Sequence, residues 1–120
     1  MENKQKTVLK DFQKKFKIKE LTVLEFKYWL LSIRPQQPTI GSMVISLKRS
    51  SDNLKSLLSE EAQELSIVFS NTEILLKEAF GFDKINYLCL MMVDRQVHFH
   101  VIPRYSLPVQ MFGKSFVDNT

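Results

Sequence analysis

The chain has 120 residues, 44% of them hydrophobic and 25% charged, with three glycines and four prolines; that is room for one core and excludes a collagen-like, low-complexity or wholly disordered protein. Its net charge of +4 is concentrated before residue 20, where Lys4, Lys6, Lys10, Lys14, Lys15, Lys17 and Lys19 face only Glu2 and Asp11, so the remainder lacks the spread basic surface of a nucleic-acid-binding protein. Cys89 is the only cysteine, which excludes an intrachain disulfide, and no apolar run approaches the ~20 residues of a membrane span or forms a signal core; a cytoplasmic protein with no membrane partner and a buried, inert thiol is expected.

In chain order, Val8, Leu9, Phe12 and Phe16 recur at helical spacing while Lys6, Lys10, Lys14 and Lys17 line another face, predicting a basic amphipathic helix over residues 1–20. A solvated face packed by its phenylalanines and a polyanion-binding surface are both compatible with that pattern. Leu21 to Ile33, rich in aromatic and β-branched residues and ended by Pro35, reads as one strand or two short ones, with Tyr28 and Trp29 placed in the core rather than as base-stacking platforms. A rigid turn follows over Arg34 to Thr39. Gly41 then introduces a strand over Met43–Leu47, whose solvent-exposed end is Lys48-Arg49, and a polar loop, Ser50 to Asn53.

The next element is a long helix, with Ser59 as N-cap, Glu60 and Glu61 at the positive end of its dipole and Gly81 at the C-terminal cap. Ala62, Leu65, Val68, Phe69, Thr72, Leu76, Ala79 and Phe80 form its apolar stripe. Ile85 to Val93 reads as a strand buried on both faces, Asp94-Arg95 as a tight connection, and Val97 to Ile102 as a strand stopped by Pro103. The periodicity of the tail, residues 107–120, assigns it no element. The expected architecture is α+β: an antiparallel sheet of about five strands, one long helix over one face and an N-terminal helix.

Chemistry concentrates in Gln96-Val97-His98-Phe99-His100-Val101-Ile102-Pro103-Arg104, which holds both histidines of the chain. Alternation along a strand sends Val97, Phe99 and Val101 to one face and Gln96, His98 and His100 to the other. Such a pair suits three uses: a metal site, a phosphate-directed site in which imidazole is nucleophile or acid, or two incidental polar residues. For a metal, the nearest third ligand is Asp94, in the connecting turn, and no cysteine or second histidine cluster is at hand.

The segment Gln96 to Ile102 resembles the histidine triad motif, His-φ-His-φ-His-φ-φ with φ apolar, and Pro103-Arg104 continues it. The turn at Gly41 with the following strand and Lys48-Arg49, the helix upstream of the histidines, the strand from Ile85, and the stretch Tyr28 to Pro35 occur in the family's order, so the similarity runs from about Leu21 to Tyr105. Small bacterial proteins of the diadenosine tetraphosphate hydrolase type are the nearest resemblance. It implies a histidine triad-like domain over residues 21–106, usually homodimeric, whose small-molecule substrate is a nucleotide. The implied reaction is attack on the α-phosphorus of a dinucleoside polyphosphate or nucleoside phosphoramidate, by way of a nucleotidyl-histidine and without metal or cofactor. His98 is then the nucleophile, with His100 and Gln96 as pocket groups and Arg34, Ser42 and Arg104 near substrate. Gln96 stands where the motif has its first histidine, and Ser42 where a histidine often follows the early glycine. Both side chains hydrogen-bond but do not titrate near neutrality; Gln96 is expected to donate to a phosphate oxygen. The alternative implied by these two positions is a nucleotide-binding histidine triad protein with little or no turnover.

Overall fold

In this computed structural model, which describes residues 2–119 and side chains from Thr7 onward, helix α1 (Glu2–Lys15) and the single-turn α2 (Ile18–Leu21) precede β1 (Thr22–Glu25), β2 (Trp29–Ile33) and β3 (Met43–Leu47). A short 3-10 turn at Leu54–Ser56 leads into the long helix α3 (Ser59–Phe80), then β4 (Lys84–Leu88), β5 (His98–Arg104) and a terminal hairpin, β6 (Val109–Met111) and β7 (Lys114–Phe116). The segment from Leu21 to Ile33 is thus two strands, joined where the Phe26 amide donates to the Trp29 carbonyl at 2.8 Å. β1 to β5 form one antiparallel sheet in the order β1-β2-β3-β5-β4, and β6 and β7 pair separately.

Period-two alternation gives the sheet two unlike faces. One carries Trp29, Leu31, Met43, Ile45, Leu47, Val97 and Val101, which join Val68 and Leu76 of α3 in the main core. Trp29 is fully buried and donates Nε1–H to the Glu61 carbonyl at 2.8 Å, and burying an aromatic of this size contributes about 3 kcal/mol. The opposite face carries Val44, on which Phe12 of α1, Phe16 of the turn after it and Ile18 of α2 close a second, smaller core. The phenylalanine face of α1 therefore packs inward.

Several expectations are corrected. The N-cap of α3 is Leu58, not Ser59; its amide donates to the Glu61 carboxylate at 2.8 Å. Gly81 caps the other end in the left-handed conformation (φ 64°) as expected. Ala62 and Ala79 lie outside the buried stripe, exposed on α3. The run from Ile85 to Val93 is not a doubly buried strand: β4 stops at Leu88, alternates exposed and half-buried residues, and forms a sheet edge, leaving Leu90, Met92 and Val93 exposed in the loop beyond. Pro103 does not end β5. It pairs with Ile85, and its carbonyl accepts from the Thr39 hydroxyl at 2.6 Å, so its nitrogen faces the edge where β3 has already ended and no ladder bond is lost. Arg49 is more than a strand end, because its guanidinium pairs with buried Glu61 at 2.9 and 3.0 Å. Among the described residues no helix is long and apolar enough to cross a membrane.

Candidate active site

β5 lies between β3 and β4, which fixes its backbone on both sides, and alternation turns His98 and His100 to the face opposite α3. His98 stands beside Ser46 and His100 beside Val44 of β3. Their ring centroids are 4.8 Å apart with planes at 90°, and their Nε2 atoms are 3.2 Å apart.

The hydrogen-bond partners determine which nitrogen carries each proton. Nδ1 of His98 lies 2.5 Å from the Gln96 carbonyl, which only accepts, so Nδ1 bears the proton and Nε2 the lone pair. Arg34 Nε, which only donates, lies 3.3 Å from Nδ1 of His100, so the His100 proton is on Nε2 and points at the lone pair of His98. This chain of bonds needs both rings neutral. Burial is the main cause holding His98 below its ordinary 6.5, and burial, followed by neighbouring His98 and Arg34, lowers His100 to about 4.

Above the rings lies α1. Phe12 is 4.9 Å from His98 and Phe16 is 5.8 Å from His100, centroid to centroid, while Lys15 forms an ion pair with Asp94 at 2.7 Å. His98 has no exposed surface and His100 only 7%. Three cavities border the site: one of about 140 Å³ between Phe12 and Asp94, one of about 240 Å³ between Phe16, Arg34 and His100, and an open groove of about 720 Å³ along Arg34, His100, Ile102 and Arg104. His98 lines none of the three. Sequence periodicity marked Phe12 and Phe16 as a packing face but named no partner for them, because a helical stripe says which side is buried and not beneath what.

The other residues singled out in the sequence divide. Arg34 meets His100 directly and also donates to the Gln36 carbonyl at 2.9 Å. Arg104 shares the open groove with His100, held by Asp118 at 2.8 Å and Asn86 at 3.0 Å. Gln96 is fully buried and differs from expectation: its Nε2 donates to the carbonyls of Leu47 and Arg49 at 3.0 and 2.7 Å, and its Oε1 accepts from the Ser51 amide at 3.2 Å. Both amide hydrogens are engaged, leaving none for a phosphate. Ser42 is likewise fully buried, its hydroxyl donating to the Thr39 carbonyl at 2.7 Å inside the Gly41 turn. Cys89 is half-buried rather than fully enclosed, with its thiol pushed up by burial. No group of three or more metal-ligating side chains occurs among the described residues.

No family model matches the chain, and no curated protein matches it. Solved structures do. A HIT family protein from Bacillus anthracis superimposes with a TM-score of 0.64 at 23% identity, over 72% of this chain and 64% of that one. A hypothetical histidine triad nucleotide-binding protein from Sulfolobus tokodaii gives 0.70 at 20% identity, over 80% and 68%. A histidine triad protein from Marinobacter aquaeolei gives 0.61 at 23%, over 74% and 66%. The chain thus spans about two thirds of the length of these proteins. With its five-stranded antiparallel sheet, its long helix on one face and its paired histidines on the other, the chain has the histidine triad fold.

Proposed function

We propose that the chain is a nucleotide-phosphate enzyme in which Nε2 of His98 attacks the α-phosphorus of a nucleoside polyphosphate. The observation carrying this reading is the tautomer: the Gln96 carbonyl holds the proton on Nδ1 and leaves a lone pair on Nε2, the form an imidazole nucleophile needs. Attack forms a P–N bond and breaks the bond to the leaving phosphate oxygen, which departs with the electron pair. Water then adds at phosphorus, releases the nucleoside monophosphate, loses a proton to solvent and returns the pair to Nε2. In this reading the Nε2–H of His100 turns from His98 to a phosphoryl oxygen, and Arg34 fixes the opposite nitrogen of that ring, donors oriented in advance for the developing charge.

The engaged side chains of Gln96 and Ser42 bear on the leaving group. A phosphate leaves as an oxyanion whose conjugate acid has a pKa of about 6, whereas an amine of pKa about 10 must collect a proton as it departs. With a non-titrating amide and hydroxyl at these two positions, phosphoanhydrides such as dinucleoside polyphosphates are favoured over phosphoramidates. We also propose a homodimer, supported by the outer edge of β4 and by exposed Leu88, Ile67 and Ile74 on β4 and α3. The second reading, nucleotide binding without turnover, is favoured by the complete burial of His98.

The test supplies purified protein with dinucleoside polyphosphates and adenosine phosphoramidates, wild type against His98→Ala. Turnover confined to the wild type and to polyphosphates is expected. Equal turnover, or none from either protein over hours, removes the catalytic claim, and mononucleotide binding without product supports the second reading.

A further inference from the structure

We propose that α1 is a built-in lid over the histidine pair, hinged at Lys17, and that His98 meets its substrate only when α1 swings off the sheet. The inference rests on the proposed phosphate chemistry for what the lid withholds, while the occlusion itself is a matter of geometry.

Phe12 and Phe16 sit against the two imidazoles, at 4.9 and 5.8 Å between centroids, and cover His98 completely, while His100 keeps an edge on the open groove. The cavities beside α1 measure about 140 and 240 Å³, below the ~300–1,000 Å³ usual for a small-molecule site. Lys15 and Asp94 line both of them, so α1 divides a single cleft rather than roofing a finished pocket. The nucleophile lies under the dividing helix.

The polar attachment of α1, as distinct from its buried Val8 and Phe12, suits a part that moves. A polar latch on α1 is the Lys15–Asp94 pair, whose side chains are 54% and 19% exposed, and a pair with its lysine largely in solvent is screened and holds weakly. Its junction to the domain is Lys17, a non-glycine residue at φ 51° and ψ 43°, a left-handed conformation disfavoured for side chains with a Cβ. α2 beyond it is anchored, with Ile18 2% exposed and its carbonyl accepting from the Thr22 hydroxyl at 2.6 Å. Returning Lys17 to the right-handed region would fuse α1 and α2 into one continuous helix and carry Phe12 and Phe16 off the histidines. One residue's backbone rotation thus separates closed from open, the pattern of a hinge.

Because the chain has only two histidines, their carbethoxylation by diethyl pyrocarbonate, followed by peptide mass spectrometry without nucleotide, reads the lid directly. The wild-type chain is expected to react at His98 about tenfold or more slower than free imidazole. Lys17→Gly, which eases the bend, slows it further, and Lys17→Val, a β-branched residue disfavoured at positive φ, speeds it by about tenfold. Phe12→Ala/Phe16→Ala removes the protection. Wild-type His98 reacting as fast as free imidazole overturns the lid, as does unchanged protection in Lys17→Val with its melting transition intact, should the double variant fail to fold. A lid without nucleotide chemistry shows the same carbethoxylation pattern but no mononucleotide binding to Lys17→Val. Nucleotide chemistry without a lid shows equal turnover in wild type, Lys17→Gly and Lys17→Val.

Discussion

Nε2 of His98 and Nε2 of His100 stand 3.2 Å apart, one bearing the lone pair and the other the proton, with the order set from outside by the Gln96 carbonyl and Arg34. The pair is a neutral donor–acceptor chain buried beneath α1, and its consequences reach from pH behaviour to chemistry.

The first concerns pH. His100 is lowered to about 4, first by burial, so between that value and the ~6.5 of an unfolded histidine the unfolded chain binds the extra proton. Stability therefore rises with pH across this window and falls as the solution is acidified. The full shift corresponds to a loss on the order of 3 kcal/mol by the bottom of the window, and His98, also lowered, adds in the same direction. Urea unfolding at pH 7 and pH 5, a range in which most carboxylates stay ionised, should show the decline in wild type and a shallower one in His100→Gln. Equal slopes contradict the buried neutral pair.

Gln96 tests whether the first motif position is catalytic or structural here. Its amide ties β5 to Leu47, Arg49 and Ser51 through three hydrogen bonds, and leaving such buried groups unpaired costs about 1 kcal/mol each or more. Gln96→His is expected to lower stability by about 2–3 kcal/mol without raising polyphosphate hydrolysis. A gain of several orders of magnitude in turnover would identify the natural residue as a lost histidine.

Two glycines with positive φ should respond unequally to alanine. At Gly41 (φ 86°) an added Cβ would meet Phe80 Cδ2 at 2.8 Å, whereas at Gly81 (φ 64°) it would meet nothing within 4 Å. Gly81→Ala therefore costs only the backbone term, about 1 kcal/mol, and Gly41→Ala should exceed it by about as much again. Chemical denaturation of both variants compares them, and equal losses would mean that Phe80 gives way freely.

Glu61 joins three parts of the molecule: its carboxylate accepts from Leu58 at the start of α3 and from Arg49 after β3, and its carbonyl accepts from Trp29. The side chain is only 2% exposed and the Arg49 guanidinium holds its carboxyl below the usual range. Because Arg49 is 41% exposed and can be solvated when orphaned, Glu61→Ala is expected to cost about 2–3 kcal/mol, less than breaking a wholly buried pair. Arg49→Ala, which strands the buried carboxylate, should cost at least as much. A neutral result for both on denaturation would show that the pair holds nothing.

Much of this was legible in the sequence because it depends on local repetition. Val97, Phe99 and Val101 alternate with the histidines, and β5 has the two faces that pattern requires. The stripe of α3, Ala62 and Ala79 apart, and its Gly81 cap follow from local pattern of the same kind. What escaped depends on partners distant in the chain. Nothing in the periodicity of α1 says that Phe12 lies on His98, 86 positions later, and nothing at Gln96 says that its amide reaches back to Leu47. The apolar run after Ile85 reads as a doubly buried strand because apolar content alone does not distinguish a central strand from an edge whose outer face stays open.

The central claim is that His98 bonds to phosphorus, and the direct measurement is a rapid quench of the protein with a dinucleoside polyphosphate under conditions that preserve phosphoramidates, followed by peptide mass mapping. The account expects one nucleoside monophosphate added to the peptide containing His98, chased away by water and absent from His98→Ala. A nucleotide found on another side chain, or hydrolysis that persists in His98→Ala with no adduct at all, would contradict it.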